Sequence, residues 1–138
     1  MLTAAGLVAA AAALSPTGVT TKLAYFPLSL QAANLPVMWV GVPRLDALID
    51  TMSDGCRVTI TMDMTIAVRP LAQDITGVGY ASNIAMMDAL QVVLKAWSYP
   101  DEYDFSWTIT SGVVVIGATG QEVYHSVTAN LKMVELQG

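Results

Sequence analysis

From Arg57 to Val68 the chain reads Arg-Val-Thr-Ile-Thr-Met-Asp-Met-Thr-Ile-Ala-Val, with an apolar residue at every second position. Side chains alternate across a pleated strand, so Val58, Ile60, Met62, Met64, Ile66 and Val68 point one way and Arg57, Thr59, Thr61, Asp63, Thr65 and Ala67 the other. The pattern predicts a long strand with one buried face. Such a strand requires paired neighbours and a layer that covers its apolar side.

The flanking sequence supplies both. Met1 to Leu14 is apolar and Ala-rich, with no Lys or Arg ahead of the run, so it lacks the charged region of a signal peptide and is too short to span a bilayer. Alanine is the best helix former, and the segment predicts a helix stopped by Ser15-Pro16-Thr17-Gly18. Val19 to Asn34 is irregular and reads as a packed connection, followed by an edge strand over Leu35–Gly41. In Pro43–Gly55, Leu45, Leu48, Ile49 and Met52 have helical spacing over a short length. The segment reads as an excursion with room for one helical turn, closed by a turn at Ser53-Asp54-Gly55.

Beyond the long strand, Arg69-Pro70 ends the ladder, and the stretch to Tyr80 reads as a loop. Ser82 or Asn83 is placed to cap a helix in which Ile84, Met87, Leu90, Leu94 and Trp97 form one apolar stripe, ended by Ser98-Tyr99-Pro100. Phe105, Trp107 and Ile109 alternate with Ser106, Thr108 and Thr110 in a further strand that continues to Ile116, with a bulge or bend expected at Gly112. Gly117 to Gly120 reads as a hairpin turn, and the last strand carries Val123, Val127, Ala129, Leu131 and Met133 on one face. The order predicts a single α+β domain over residues 1–138: a sheet of about four antiparallel strands, with the N-terminal and central helices packed on one face.

Composition narrows the function. The net charge of -5 argues against nucleic-acid binding through phosphate neutralisation. Charged residues make up only 12% of the chain, about half the usual fraction, while 54% are hydrophobic. A domain of this size cannot hide so many apolar residues in its own core, so part of its exterior is expected to lie inside an assembly. The single Cys56 can form no internal bridge, which suits folding in a reducing cytoplasm, and it reads as a packing residue.

No catalytic constellation stands out. The only histidine, His125, falls at the buried parity of the last strand with no acid or thiol beside it, and reads as structural. Asp101, Glu102 and Asp104 form an acidic loop without the ordered spacing of a calcium loop, and Tyr103 interrupts it. Gly77-Val78-Gly79-Tyr80 lacks the third glycine and basic residue of a phosphate loop, and reads as a hinge or turn. Trp39, Trp97 and Trp107 fall within strands or on the helix stripe and read as core, as do Met62, Met64 and Met87. The expectation is a protein without catalytic residues, cofactor or metal.

The N-terminal helix, the Leu35-Pro36-Val37 strand entry, the alternating strand Val58–Val68, the helix containing Met86-Met87-Asp88-Ala89-Leu90 and ending near Trp97, and the closing hairpin Phe105–Glu135 together resemble the tail terminator (tail completion) proteins of long-tailed bacteriophages. The likeness is one of pattern and size, and Pro43 to Met52 has no counterpart in it. It implies a homohexameric ring that sits on the last ring of the tail tube, ends tube polymerisation and faces the head connector. The partners it implies are the tail tube protein and a head-completion or connector protein. Its implied location is the head–tail junction of the virion, after assembly in the host cytoplasm, with no membrane involved. Six copies at -5 each would carry -30, so that DNA would pass the lumen without specific binding. Asp63, Asp101, Glu102 and Asp104 are the candidate ring or lumen surfaces.

Two other readings compete. Another head–tail connector ring protein would share the size and symmetry. A small-molecule binding module would instead have the sheet grip the central helix around an apolar cavity lined by Trp97, Met62 and Met64.

Overall fold

The structure is a computed structural model that describes residues 2–24, 26–27, 29–30, 34–50, 55–71, 77–117 and 122–137. Its elements run α1 (Ala4–Ala12), β1 (Thr21–Leu23), β2 (Val37–Val40), β3 (Arg44–Asp50), β4 (Gly55–Pro70), α2 (Val78–Ala96), a 3-10 turn (Tyr99–Glu102), β5 (Asp104–Ile116) and β6 (Glu122–Gln137). The class is α+β, with two helices and a mixed six-stranded sheet in the order β1-β2-β4-β6-β5, and β3 also paired to β4. This corrects the four-stranded antiparallel expectation in two places.

The first is β1, which lies parallel to β2, with Thr21 opposite Val37. Three residues are too few to leave a periodic trace in the sequence. The second is Arg44–Asp50, expected as an excursion and found as a strand antiparallel to the first half of β4. Its helical spacing of leucines loses to seven ladder partners: tertiary pairing overrides a weak local pattern. The turn expected at Ser53–Gly55 lies outside the described residues except for Gly55, which opens β4. Of the turn expected at Gly117–Gly120, only Gly117 is described.

β2 and β3 act as one interrupted strand along β4. Val40 faces Met64 and Arg44 faces Thr61, so residues 41–43 oppose only residues 62–63, a one-residue bulge. At this step the Gly41 amide donates to the Asp63 carbonyl at 2.7 Å. A Cβ on Gly41 would stand 3.3 Å from that same oxygen, which is why a residue without a side chain occupies the crossing.

The long central strand behaves as its alternation requires. Val58, Ile60, Met62, Met64, Ile66 and Val68 are buried in the main core with Val127, Ala129, Leu131 and Met133 of β6. Both helices cover that face, α1 through Leu7 and Ala11, α2 through Met86, Leu90 and Leu94. Thr3 caps α1, its Oγ1 accepting from the Gly6 amide at 3.0 Å.

α2 begins earlier than expected. Gly77, at φ 77°, takes the left-handed conformation that L-residues avoid and forms the N-cap, so Val78–Tyr80 are the first helical turn and not a hinge. Ser82 and Asn83 therefore lie inside the helix instead of capping it. The buried stripe runs through Asn83, Met86, Leu90 and Leu94, and Ile84 faces outward. The bulge expected at Gly112 is absent, since β5 pairs with β6 without a slip from Asp104 to Ile116. The slip lies at Val68, between the pairs Ala67–Ser126 and Arg69–His125.

On the opposite side of the sheet a second, smaller cluster joins Val37, Trp39, Ala67, Ile116 and Tyr124, covered by Leu30 and Leu35 of the connecting segment. Phe26 packs edge-on against Trp39 with ring centroids 5.5 Å apart. This cluster occupies only one end of the face. Among the described residues nothing else covers that face.

Candidate interaction surface

The open face is assembled by register. Antiparallel partners project to the same side, so Arg44, Asp46 and Leu48 of β3 join Arg57, Thr59, Thr61, Asp63 and Thr65 of β4. Across β6 and β5 the same rows continue through Thr128, Asn130, Lys132 and Val134 to Thr110, Thr108, Ser106 and Asp104. The result is a pleated surface dominated by hydroxyls. Cross-strand bonds tie it together: Asn130 Nδ2 donates to Asp63 Oδ1 at 2.8 Å, and the Thr65 and Thr128 hydroxyl oxygens are 3.4 Å apart.

Among the described side chains the charges on this face balance. Arg44, Arg57 and Lys132 are matched by Asp46, Asp63 and Asp104. Arg44 Nε lies 3.2 Å from Asp46 Oδ2, with both side chains well exposed, a geometry that contributes little to stability. At one corner Arg57, Thr59, Asp104 and Lys132 line a polar hollow of about 290 Å³.

The structure sets Asp63 apart from Asp104. Asp63 is exposed in the row of Asn130 and Thr108. Asp104 is exposed four residues further along β5, which is about 13 Å along the strands. Asp101 is exposed in the 3-10 turn, and the side chain of Glu102 lies outside what is described. Among the described residues no group of three or more His, Cys, Asp or Glu side chains is arranged to hold a metal ion.

The other candidates fall where packing requires. Met62 and Met64 are fully enclosed in the main core, while Trp97 stacks on Tyr99 and meets Phe105 edge-on, each at 5.5 Å. The described grooves lie elsewhere. One, about 440 Å³ and mostly apolar, runs between α2 and Thr17–Gly18 of the loop that follows α1, with Pro36, Val68 and Met86 along it and Thr17, Arg69 and Ser82 as its polar side chains. The slip at Val68 explains Arg69: the extra residue turns the next side chain toward the helical layer. His125, opposite Arg69, is half-buried at the same end.

Two tyrosines have shifted acidities. Burial, and then the carboxylate of Glu122 that accepts the hydroxyl proton at 2.7 Å, push Tyr124 up to about 12. Burial raises Tyr99 as well, with the charge of Glu135 adding to it.

Sequence reasoning missed Asn83 as a core residue. It is buried, its Nδ2 donates to the Ser126 carbonyl at 3.1 Å, and its Oδ1 has no hydrogen-bond partner among the described residues. Ser126 flanks the register slip, so the side chain serves a backbone group where the ladder is disturbed. Also missed were the exposed apolar side chains Val113 and Val115 on β5 and Tyr80, Ile84 and Val92 outside α2; on the other flank Leu45 and Leu48 of β3 are exposed, with Val42 beside them. The uncharged run from Phe105 to Ile116 was the available signal for the β5 flank. Among the described residues no helix is long and apolar enough to cross a membrane. No protein-family model matches the chain, and no curated protein matches it in sequence.

Proposed function

We propose that this chain is a structural subunit of a bacteriophage tail, forming a ring that caps the tail tube, ends its polymerisation and joins the tail to the head connector. The reading rests on the resemblance of its element pattern to tail terminator proteins. One structural observation carries it: exposed apolar side chains lie on both flanks of the sheet, in a chain with a charged fraction of only 12%. Single exposed apolar residues are ordinary, but apolar flanks on opposite sides of one subunit suit a body with neighbours on either hand. The polar face then meets solvent or passing DNA, and its balanced charges give nucleic acid neither a phosphate grip nor a base-reading element. Tube protein and connector would contact the two rims of the ring.

Native mass spectrometry and electron microscopy of the purified chain test this reading. A closed ring, sixfold in the form proposed, is the expected particle. Monomers alone, both in solution and when mixed with tail tubes, would sink it.

A further inference from the structure

The sheet ends in two unlike edges. On one flank the edge is divided between β1 and β3, broken by the bulge at residues 41–43, and carries the exposed Arg44–Asp46 ion pair. On the other, β5 runs thirteen residues with β6 on one side only, without a register slip, a proline, or any charge after Asp104. The outward N–H and C=O groups of such a strand are a template for another strand, and natural edges are normally blunted by charge, proline, bulge or brevity. The β1–β3 flank uses brevity, bulge and charge, and β5 only the charge of its first residue, Asp104.

β5 is also half covered. Phe105, Trp107 and Ile109 are half-buried beside α2, while Val113 and Val115, on the same side of the strand, are 57% and 48% exposed. The geometry points to a two-fold contact in which β5 of one copy pairs antiparallel with β5 of a second copy, centred on Thr110. Thr110 is the midpoint of Asp104–Ile116, so this register uses every residue of the strand. It sets Val113 opposite Trp107 and Val115 opposite Phe105 of the second copy, aromatic against β-branched, the pairing that stabilises antiparallel ladders. Asp104 falls opposite Ile116, so the Asp104 carboxylates of the two copies never face each other. The bare half of each strand is brought beside the helix-covered half of the other. A patch that complements itself about an axis makes an isologous dimer, and the occupant is therefore a second copy of this chain.

The contact goes beyond the ring reading and takes the β5 flank, Val113 and Val115, that the ring reading gives to a lateral neighbour, so the two make different demands on one edge. A two-fold joins subunits of two rings, or two free subunits, and does not close one ring. Its test is disulfide trapping with Cys56→Ser as background. Thr110→Cys should cross-link to a homodimer under mild oxidation, because directly opposed residues of an antiparallel pair have Cα atoms about 4.5–5.5 Å apart, within disulfide range. Thr108→Cys should not, since its partner would be Gly112, whereas Thr108→Cys with Gly112→Cys should. Separately, Thr110→Lys opposes two ammonium groups across the axis and should raise the dissociation constant of the contact about fivefold, leaving the monomer folded. The trapping result decides. Cross-linking at Thr110→Cys but not Thr108→Cys supports the contact in a dimer or in any larger particle. Failure at Thr110→Cys, or equal trapping at both positions, overturns it, whether or not a ring is seen.

Discussion

The two faces of β4 obey opposite rules. On the helical side Ile60, Met64 and Ile66 are fully buried, while on the other side Thr59, Thr61 and Thr65 are partly exposed and Asp63 is open to solvent. Both faces share one backbone and one ladder. What differs is the neighbour: an apolar layer from α1 and α2 on one side, and only cross-strand hydroxyls, amides and charges over most of the other. Stability is therefore concentrated on one face, and the other is free to change without unfolding the chain. In the function proposed, that division lets the fold and the contact surface be set independently.

The sharpest way to break this comparison is to cut into the covered face. Leu131 is fully buried between β4 and β5 partners, and Leu131→Ala removes its transfer energy and leaves a cavity, a loss of about 3 kcal/mol. Urea denaturation at fixed protein concentration measures it. Thr61→Ala, on the facing strand but the open side, should cost below about 0.5 kcal/mol in the same assay. Equal costs would mean that the open face is as load-carrying as the core.

Asn83 probes a buried polar group inside the covered face. Asn83→Ala leaves the Ser126 carbonyl buried without its donor and should cost about 2 kcal/mol, despite the amide's own unpartnered oxygen. Stabilisation by this substitution would show that the Ser126 carbonyl finds another donor at the slip. Hydrogen exchange of residues 67–69 and 124–127 should quicken first.

The alternation of β4 and β6 was legible because each side chain's neighbour is fixed by parity alone, and the apolar stripe of α2 because four-turn periodicity survives small errors of phase. β3 was not legible, since its identity as a strand depends on Arg44–Asp50 finding Gly55–Thr61, and its leucines face solvent in this fold. The start of α2 at Gly77 was missed because a glycine that reads as a breaker also serves as a cap at positive φ. The slip at Val68 leaves no mark at all: no glycine signals it, whereas the glycine that was expected to bulge, Gly112, pairs regularly. Of the candidate carboxylates, Asp101, Glu102 and Asp104 are neighbours in one loop and Asp63 follows from strand parity; register sets Asp63 well away from Asp104.

At the covered end of the open face, Tyr124 gives a pH-dependent test. Its hydroxyl titrates near 10 in an unfolded chain and at about 12 in the fold, so the folded state holds the proton longer. Stability from this group is complete below about pH 10 and falls as pH rises toward 12, where both states are ionised. The full difference would be worth about 2.7 kcal/mol, and because the Glu122 carboxylate beside it is exposed and screened by water the expected change is nearer about 1 kcal/mol. Tyr124→Phe should flatten that part of the stability–pH curve, as read by denaturant melts at pH values across the interval. An unchanged slope would assign the alkaline loss to other groups.

The smallest effect sharpens the comparison most. Asp63 and Asn130 face each other at 2.8 Å on the open side, in contact with solvent. A double-mutant cycle with Asp63→Ala and Asn130→Ala should give a coupling of about 0.5 kcal/mol in the dispersed chain, since water competes for both groups and their side chains lose freedom in pairing. The same cycle in whatever particle the chain builds separates two arrangements. If this face lines an open lumen, the coupling stays near its dispersed value. If another subunit covers it, water is excluded, the local dielectric falls, and the pair couples more strongly, above about 1.5 kcal/mol. The open face is a surface in the first case and an interface in the second, and one pair of side chains tells them apart.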